Sequence, residues 1–323
     1  MWYRSSRARP AMHRLRRGLS PALLVPLFVL PALPEVAAAC ACGCGVFEVG
    51  TGAMFPDGPG GMAFFEFDFM DQDKNWSGSS QAPAANNPDK RIKTEFMTVG
   101  AQYMFNRAWG VQLELPYWHR SFTTTDEDSG DVATFDHSNF GDLRLDVLYT
   151  GFSEDMSTGV SAGLKLPTGD STYPNFDPDT QIGTGSTDLH LGAWHLGRFG
   201  ADSHWNWLAD ALFSQPIAHK DSYRPGTEFN AAAGVFYTGW KPARDVRVSP
   251  VVELQASWRG HDGGTEGDPD NSGYFRAFVT PGIEVSVSRV KVYVDVSVPF
   301  YQHVTGNQLV ADPVYKANIS YAF

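Results

Sequence analysis

Three cysteines at alternate positions form the most reactive cluster in the sequence: Cys40, Cys42 and Cys44, which are all the cysteines it has. Alternate residues of an extended chain share one face, so the three thiolates could converge on a soft metal such as Cu(I) or Zn. Disulfides suit the spacing poorly, because a bridge between residues i and i+2 strains the bond geometry. Lipidation of Cys40 and thiols without a chemical role stay open as alternatives.

A histidine and an acid offer a second chemistry. His190 and Asp210 fall opposite each other if the chain folds back about residues 197–203, and a histidine beside a carboxylate could titrate near neutral pH. No nucleophile has a matching spacing, and the Gly-x-x-x-x-Gly-Lys phosphate-binding motif does not occur in the sequence. The sequence therefore predicts neither an enzyme nor a cofactor.

The start of the chain has the composition of a secretory signal peptide. It is rich in arginine and free of acids over residues 1–18, apolar but broken by prolines up to residue 33, and it ends in the cleavage pattern Ala37-Ala38-Ala39. We predict a signal peptide over 1–39, a Cys-rich N-terminal segment and candidate plug over 40–61, and one domain over 62–323. The net charge of −11 argues against a nucleic-acid partner.

From Met62 onward, apolar residues recur at every second position, which is the period of a β-strand and not of a helix. Twelve such runs, most of 9–14 residues, match the length of tilted transmembrane strands. Long polar connections alternate with short ones, and the long ones are 71–93, 120–139, 169–185, 216–226, 260–273 and 302–312. This layout predicts an all-β protein: a transmembrane antiparallel up-and-down β-barrel of about twelve strands in the bacterial outer membrane, with membrane lipids as partners.

The last run ends the chain at Phe323, with apolar residues at every second position behind it. A terminal phenylalanine in this pattern resembles the assembly signal of bacterial outer-membrane proteins. The barrel-assembly machinery is therefore an expected partner.

The polar residues at alternate positions of each run should line the interior. Ten charged or titratable residues are predicted to do so: Glu114, Asp142, Arg144, Lys165, His190, Asp210, Glu253, Glu284, Lys291 and Asp295. Folding about the short turns places Asp142 opposite Lys165 and Glu284 opposite Lys291, as cross-strand ion pairs. Acids outnumber bases on this parity, so an open lumen should favour cations or neutral aromatics over anions.

Three glycine-rich pieces occur in a fixed order: Gly141-Asp142-Leu143, then Gly163-Leu164-Lys165-Leu166-Pro167-Thr168-Gly169, then Gly183-Thr184-Gly185-Ser186-Thr187-Asp188-Leu189. Together they resemble the outer-membrane family associated with meta-pathway phenol degradation, whose members are described as transporters. The resemblance implies passage of small, hydrophobic or aromatic compounds. We therefore expect an outer-membrane channel or transporter for such solutes, and the alternative is a sealed barrel whose N-terminal thiols bind a metal.

Overall fold

The computed structural model describes residues 55–56, 58–126, 129–201, 203–219 and 223–323. The predicted signal peptide and the three cysteines lie outside the described residues. Alternating side chains favour extended backbone, and most of the described chain is strand. The strands are β1 (Gly60–Gly78), β2 (Ser80–Gln81), β3 (Asp89–Met104), β4 (Trp109–Thr125), β5 (Val132–Phe140), β6 (Leu143–Tyr149), β7 (Thr158–Leu166), β8 (Ser186–Arg198), β9 (Trp205–His219), β10 (Glu228–Tyr237), β11 (Trp240–Ala243), β12 (Val246–Arg259), β13 (Tyr274–Val287) and β14 (Val290–Ala322).

Eleven of these strands form one closed antiparallel ring. Its order is β1, β3, β4, β6, β7, β8, β9, β10, β12, β13 and β14, and β14 pairs with β1 to close it. The other three, β2, β5 and β11, pair with β1, β4 and β12. Strands that follow one another along the chain are neighbours in the wall, so the predicted up-and-down barrel is confirmed. We call the end with the long connections the loop rim and the opposite end the turn rim.

Strand β14 crosses the wall twice. Residues 290–304 pair antiparallel with β13, and residues 311–322 pair antiparallel with β1. The chain reverses at Gly306, whose φ is +64°, and a Cβ there would lie 2.2 Å from Oδ1 of Asn271. Only glycine fits this close approach. The eleven ring strands therefore make twelve crossings, as predicted, although the expected loop at 302–312 is strand apart from this tight reversal.

A second predicted loop is also shorter than expected. Strand β1 continues to Gly78 and β3 begins at Asp89, so only part of the predicted connection 71–93 is loop. We predicted a loop because these residues are polar. Strands that extend beyond a membrane are also polar on both faces, so polarity alone does not distinguish the two. The wall here rises well above the apolar belt.

The wall is interrupted at Gly141 and Asp142, between β5 and β6. Strand β5 pairs with the loop-rim half of β4 and β6 pairs with its turn-rim half, so the two make a single crossing. The break frees this short stretch from the ladder and lets it contact a loop inside the barrel.

The two faces of the wall differ as the alternation predicts. Outward residues such as Leu145 and Val147 are 48% and 47% exposed, whereas inward polar residues such as Glu253 and Asn318 are each 2% exposed. An apolar band of this extent is unusual on a water-exposed surface and typical of one that faces lipid. Among the described residues no helix is long and apolar enough to span a membrane.

Candidate functional site

Most of the ten predicted interior residues are largely buried. Asp142, Lys165, His190, Asp210, Glu253 and Asp295 are each 9% exposed or less. Glu114 and Arg144 have side chains that are 15% and 20% exposed, with Oε2 and Nη1 3.7 Å apart. Glu284 and Lys291 are half-buried.

Lys165 is held between two carboxylates. Its Nζ lies 2.6 Å from Oδ2 of Asp188 and 3.6 Å from Oδ2 of Asp142. The sequence predicted the pairing of Lys165 with Asp142 but not that with Asp188, and the residue directly opposite Lys165 on β6 is Arg144. The contact with Asp142 is therefore diagonal, whereas Asp188 lies directly opposite Lys165 on β8, and the two acids share one buried cation.

Two of the predicted oppositions are wrong by register. His190 lies opposite Ser214, while Asp210 lies opposite Trp194. Glu284 lies opposite Tyr293, and Lys291 lies opposite Ser286. The actual register moves the partner of His190 by four residues, from Asp210 to Ser214, and that of Glu284 by two, from Lys291 to Tyr293. Both His190 and Asp210 nevertheless line the same central cavity.

The central cavity has a volume of about 170 Å³. Part of its wall is aromatic or apolar, from Phe64, Phe96, Trp118, Leu148 and Trp194. An apolar cavity of ~150 Å³ is large enough for benzene. The cavity is therefore of a size for one small ring or a short apolar chain.

The rest of that wall is charged. Lys316 Nζ lies 3.1 Å from Oε1 of Glu66 and 3.5 Å from Oδ1 of Asp68. Within β4, Gln112 donates a 2.6 Å hydrogen bond to Oε1 of Glu114. The cavity thus brings an apolar surface and a surface of acidic and basic groups against the same small volume.

Two smaller cavities adjoin the central one. An upper cavity towards the loop rim shares Trp118, Arg144 and His190 with it, and a lower cavity towards the turn rim shares Phe55 and Gln102. Each of these two cavities has a volume of about 70 Å³. The three lie in series along the barrel, with the shared residues forming the constrictions between them.

The loop between β7 and β8, residues 167–185, folds into the loop-rim end of the barrel. Arg120, which is fully buried, donates hydrogen bonds to the carbonyl of Thr180 and, at 3.2 Å, to that of Gln181. Its guanidinium also lies 5.2 Å from the ring centre of Trp118. A cation over an aromatic face that also binds two carbonyls fixes this loop across the lumen.

The ends of the same loop are fixed at the break in the wall. Asp142 accepts hydrogen bonds from the backbone N–H of Gly169 at 3.0 Å and of Thr184 at 2.9 Å. A Cβ on Gly183 would lie 2.4 Å from the carbonyl carbon of Gly169, so the two backbones touch. The three glycine-rich pieces of the sequence therefore meet at one place and hold the loop.

A stacked pair covers the outside of this loop. The rings of His137 and Tyr173 are 3.8 Å apart and nearly parallel, and His137 Nε2 lies 3.0 Å from Oδ2 of Asp170. Partial burial alone would raise the pKa of Asp170, but hydrogen bonds from Thr172 and His137 outweigh it and hold that pKa below its usual value. The ionised form of Asp170 is thus the one that the closed loop favours.

The constriction between the central and lower cavities is formed by apolar side chains, unlike the polar contacts that hold the loop 167–185. Phe55 stacks on Trp194 with ring centres 5.3 Å apart and planes 9° from parallel. The surrounding cluster consists of Met104, Leu148 and Met156. Phe55 precedes β1, so a residue outside the barrel wall packs against β8 between the central and lower cavities.

Sequence reasoning missed Arg120 and the Phe55–Trp194 stack, and although the parity of its run places Asp188 inside, it did not pair Asp188 with Lys165. Arg120 sits in a segment that we predicted to be a polar loop, so its burial was not expected. The only available signal was that Arg120 falls on the same alternate positions as the inward-facing residues earlier in β4. The stack joins residues far apart in the chain, and no local pattern indicates such a contact.

The candidate metal ligands Cys40, Cys42 and Cys44 lie outside the described residues. Within the part of the chain that the structure describes, no group of three or more His, Cys, Asp or Glu residues could hold a metal ion.

No protein-family model matches the chain, and no curated protein matches it. Among solved structures it is similar to the COG4313 outer membrane channel from Pseudomonas putida F1, with 14% identity, 85% of this chain and 100% of that chain covered, and a TM-score of 0.62. It also matches the Pseudomonas putida toluene transporter TodX at 12% identity, covering 89% of this chain and 96% of that one, but the TM-score of 0.41 is too low to support an argument. The fold is that of a bacterial outer-membrane β-barrel.

Proposed function

We propose that the protein is a channel through which small hydrophobic or aromatic solutes cross the outer membrane. The observation that carries the proposal is the series of three adjoining cavities inside a closed barrel. The aromatic surface of the central cavity fits the apolar part of such a solute. The name of the similar channel from Pseudomonas putida agrees with this function.

In this proposal the ten interior residues predicted from the sequence line the path of the solute. Arg144 and His190 stand where the upper and central cavities meet, and Asp142 and Lys165 line the upper cavity. We assign the residues of segment 40–61 the role of a plug, since Phe55 and Pro56 line both the central and the lower cavity. In this proposal the solute passes when the loop 167–185 and the plug move aside.

Solute flux into liposomes that contain the purified protein tests the proposal. Toluene-sized neutral solutes should enter faster than into empty liposomes, and removal of residues 40–61 should increase the flux. The matched control is a variant in which Phe152, an exposed lipid-facing aromatic of the turn rim, is replaced by alanine. If neither the whole protein nor the truncated one passes any solute, the sealed barrel with an N-terminal thiol function is the better account.

The loop rim is proposed to face the cell exterior, with loops 126–131 and 260–273 exposed there. Single cysteines placed in these loops of a cysteine-free variant should react with an impermeant reagent on intact cells. Labelling of the turn 150–157 instead would reverse the orientation.

The C-terminal strand is proposed to be recognised by the barrel-assembly machinery. Phe323 lies at the turn rim, where its N–H donates a 2.8 Å hydrogen bond to the carbonyl of Gly61 and closes the ring. Deletion of Phe323 should reduce the yield of heat-resistant barrel in the membrane more than Val294→Ala does. Equal yields would contradict this assignment.

A further inference from the structure

A larger cavity, of about 450 Å³, lies at the loop rim, and we call it the rim cavity. It shares no lining residue with the three cavities of the lumen. Its wall comes from β3, β4 and β5, from the loop 167–185 and from the connection between β12 and β13. None of its described lining residues is basic, and six are acids: Asp89, Asp126, Asp177, Asp179, Glu266 and Asp268.

Asp89, the first residue of β3, is the most deeply buried of these acids, with 2% of its surface exposed. Its Oδ1 accepts a 2.7 Å hydrogen bond from Thr124, and its N–H donates a 2.9 Å hydrogen bond to Oδ1 of Asn87. Its Oδ2 is also buried but has no hydrogen-bond partner among the described residues. A carboxyl group buried in this way without a counter-charge is less costly in its neutral form.

The loop 167–185 places a second carboxylate beside this one. Phe176 is buried against Ile92 and Phe122 of the wall, and the ring centres of Phe122 and Phe176 lie 5.6 Å apart. On the other side, Thr180 donates hydrogen bonds of 2.9 Å from its N–H and from its hydroxyl to the carbonyl of Asp177. Asp177 is therefore held at the rim cavity, next to Asp89, as long as the loop stays in place.

Asp89 lies at the loop rim, above the apolar belt, and its surroundings disfavour its charge. Burial, and then the negative charge of Asp177, raise the pKa of Asp89 to about 8. The hydrogen bond from Thr124 and the ammonium of Lys90, which itself binds two backbone carbonyls, offset only part of this. The other charged residues of the rim cavity are acids and supply no positive charge: Asp126 from the end of β4, Asp179 from the loop, and Glu266 and Asp268 from the connection between β12 and β13.

We propose that Asp89 is a pH-dependent switch for the loop-rim closure: its neutral form lets the loop 167–185 pack against the wall, and its ionised form repels Asp177 and loosens the loop. Once the loop moves away and water reaches the carboxylate, the pKa of Asp89 should return towards the ordinary ~3.9. The packed loop therefore binds the proton more tightly than the loosened one. A rising pH should favour the loosened loop by up to about tenfold per pH unit between about 4 and 8, and no further above that.

Infrared spectroscopy of the full-length protein in liposomes tests the protonation of Asp89. The difference between the wild type and Asp89→Asn should contain the C=O stretch of a protonated carboxyl group at pH 6 and should lose it by pH 9. Asp131→Asn, which removes an exposed acid of the same rim, is the matched control and should give no such difference. Absence of the signal at pH 6 would overturn the proposal.

Hydrogen exchange of the backbone amides of residues 173–179 tests the movement of the loop. The ratio of the rates in the wild type and Asp89→Asn at the same pH cancels the intrinsic pH dependence of exchange. This ratio should rise at least about tenfold from pH 5 to pH 8 and then become constant. In Asp177→Asn the rise should end at a lower pH, because the neighbouring charge is gone. A ratio that does not change with pH would contradict the switch.

Conductance in planar bilayers separates this inference from the proposed channel function, on which its effect on solute flux rests. Conductance should rise with pH in the wild type but not in Asp89→Asn. An equal rise in both would overturn the switch and leave the channel intact, whereas a pH-dependent loop in a barrel that conducts nothing would support the switch and contradict the channel. If Asp89→Asn does not fold, the comparison of the wild type with Asp177→Asn still decides, since identical exchange profiles would exclude the repulsion.

Discussion

At the loop rim a loop held by buried polar bonds extends into the lumen, whereas at the turn rim an aromatic stack does so; we call these contacts the two closures of the proposed channel. Arg120 and Asp142 between them bind the loop 167–185 at Gly169, Thr180, Gln181 and Thr184. Phe55 and Trp194 meet only through their rings and the apolar residues around them.

This difference has an energetic meaning. Polar groups that are buried with their partners are costly to separate, because each partner left behind loses about 1–3 kcal/mol. An aromatic pair contributes only ~0.5–1.5 kcal/mol beyond the area it buries. The loop-rim closure should therefore be the firmer of the two, and the turn-rim closure the one that thermal motion opens first.

Replacement of Arg120 by alanine should weaken the loop-rim closure more than any other change that we consider. It leaves the carbonyls of Thr180 and Gln181 buried without their donor, so the loop should lose about 3 kcal/mol or more of local stability. Conductance in planar bilayers should rise severalfold. The control is Arg107→Ala, an arginine of the turn rim that is exposed. Unchanged conductance with a correctly folded barrel would show that this loop is not a closure.

Replacement of Asp142 by asparagine should have the second largest effect. The side chain keeps its shape but loses its charge, which weakens its bonds to the N–H groups of Gly169 and Thr184 and its contact with Lys165. We expect an increase in conductance smaller than that of Arg120→Ala, since Lys165 retains Asp188 at 2.6 Å. Asp188→Asn is the matched comparison, because it keeps the loop bonds of Asp142. An equal or larger opening by Asp188→Asn would show that charge in the lumen, and not loop anchoring, controls the opening.

The sequence predicted the wall better than the closures, and the reason is the period of the strand. An error of two residues in register leaves every side chain on its own face, so an inward assignment survives it, but the partner changes. Glu284 faces Tyr293 and not Lys291 for this reason. The outward and inward faces of β6 and β14 could therefore be predicted, while the pairs across strands could not.

The closures depend on contacts between distant segments. Arg120 binds carbonyls about sixty positions further along the chain. The last strand, β14, pairs with the first strand, β1. Local alternation carries no information on such contacts. The glycine-rich pieces indicated the place where the loop is anchored, because close backbone contact requires glycine, but they did not show what the loop closes.

Replacement of Phe55 by alanine should open the turn rim by a smaller amount. The stack on Trp194 is lost, and the lower and central cavities, which share Phe55, should merge. We expect flux of neutral solutes to rise about twofold to tenfold, as a loss of ~0.5–1.5 kcal/mol allows. Phe152→Ala, an exposed aromatic at the same rim, is the control. An opening greater than that of Arg120→Ala would invert the order of the two closures.

Protonation of Asp170 on acidification should give the smallest effect at the loop rim. The pKa of Asp170 is lower in the folded protein than its usual value of ~3.9, so the stabilisation that its ionised form provides is complete above that value and is lost as the pH falls through the folded pKa. As the pH falls from about 4 through the folded pKa, the contact with His137 should weaken and conductance should rise modestly. In Asp170→Asn the conductance should already be raised at pH 7 and should depend less on pH over this interval. If the pH response persists unchanged in that variant, other carboxylates cause it, and Asp170 does not stabilise the loop-rim closure.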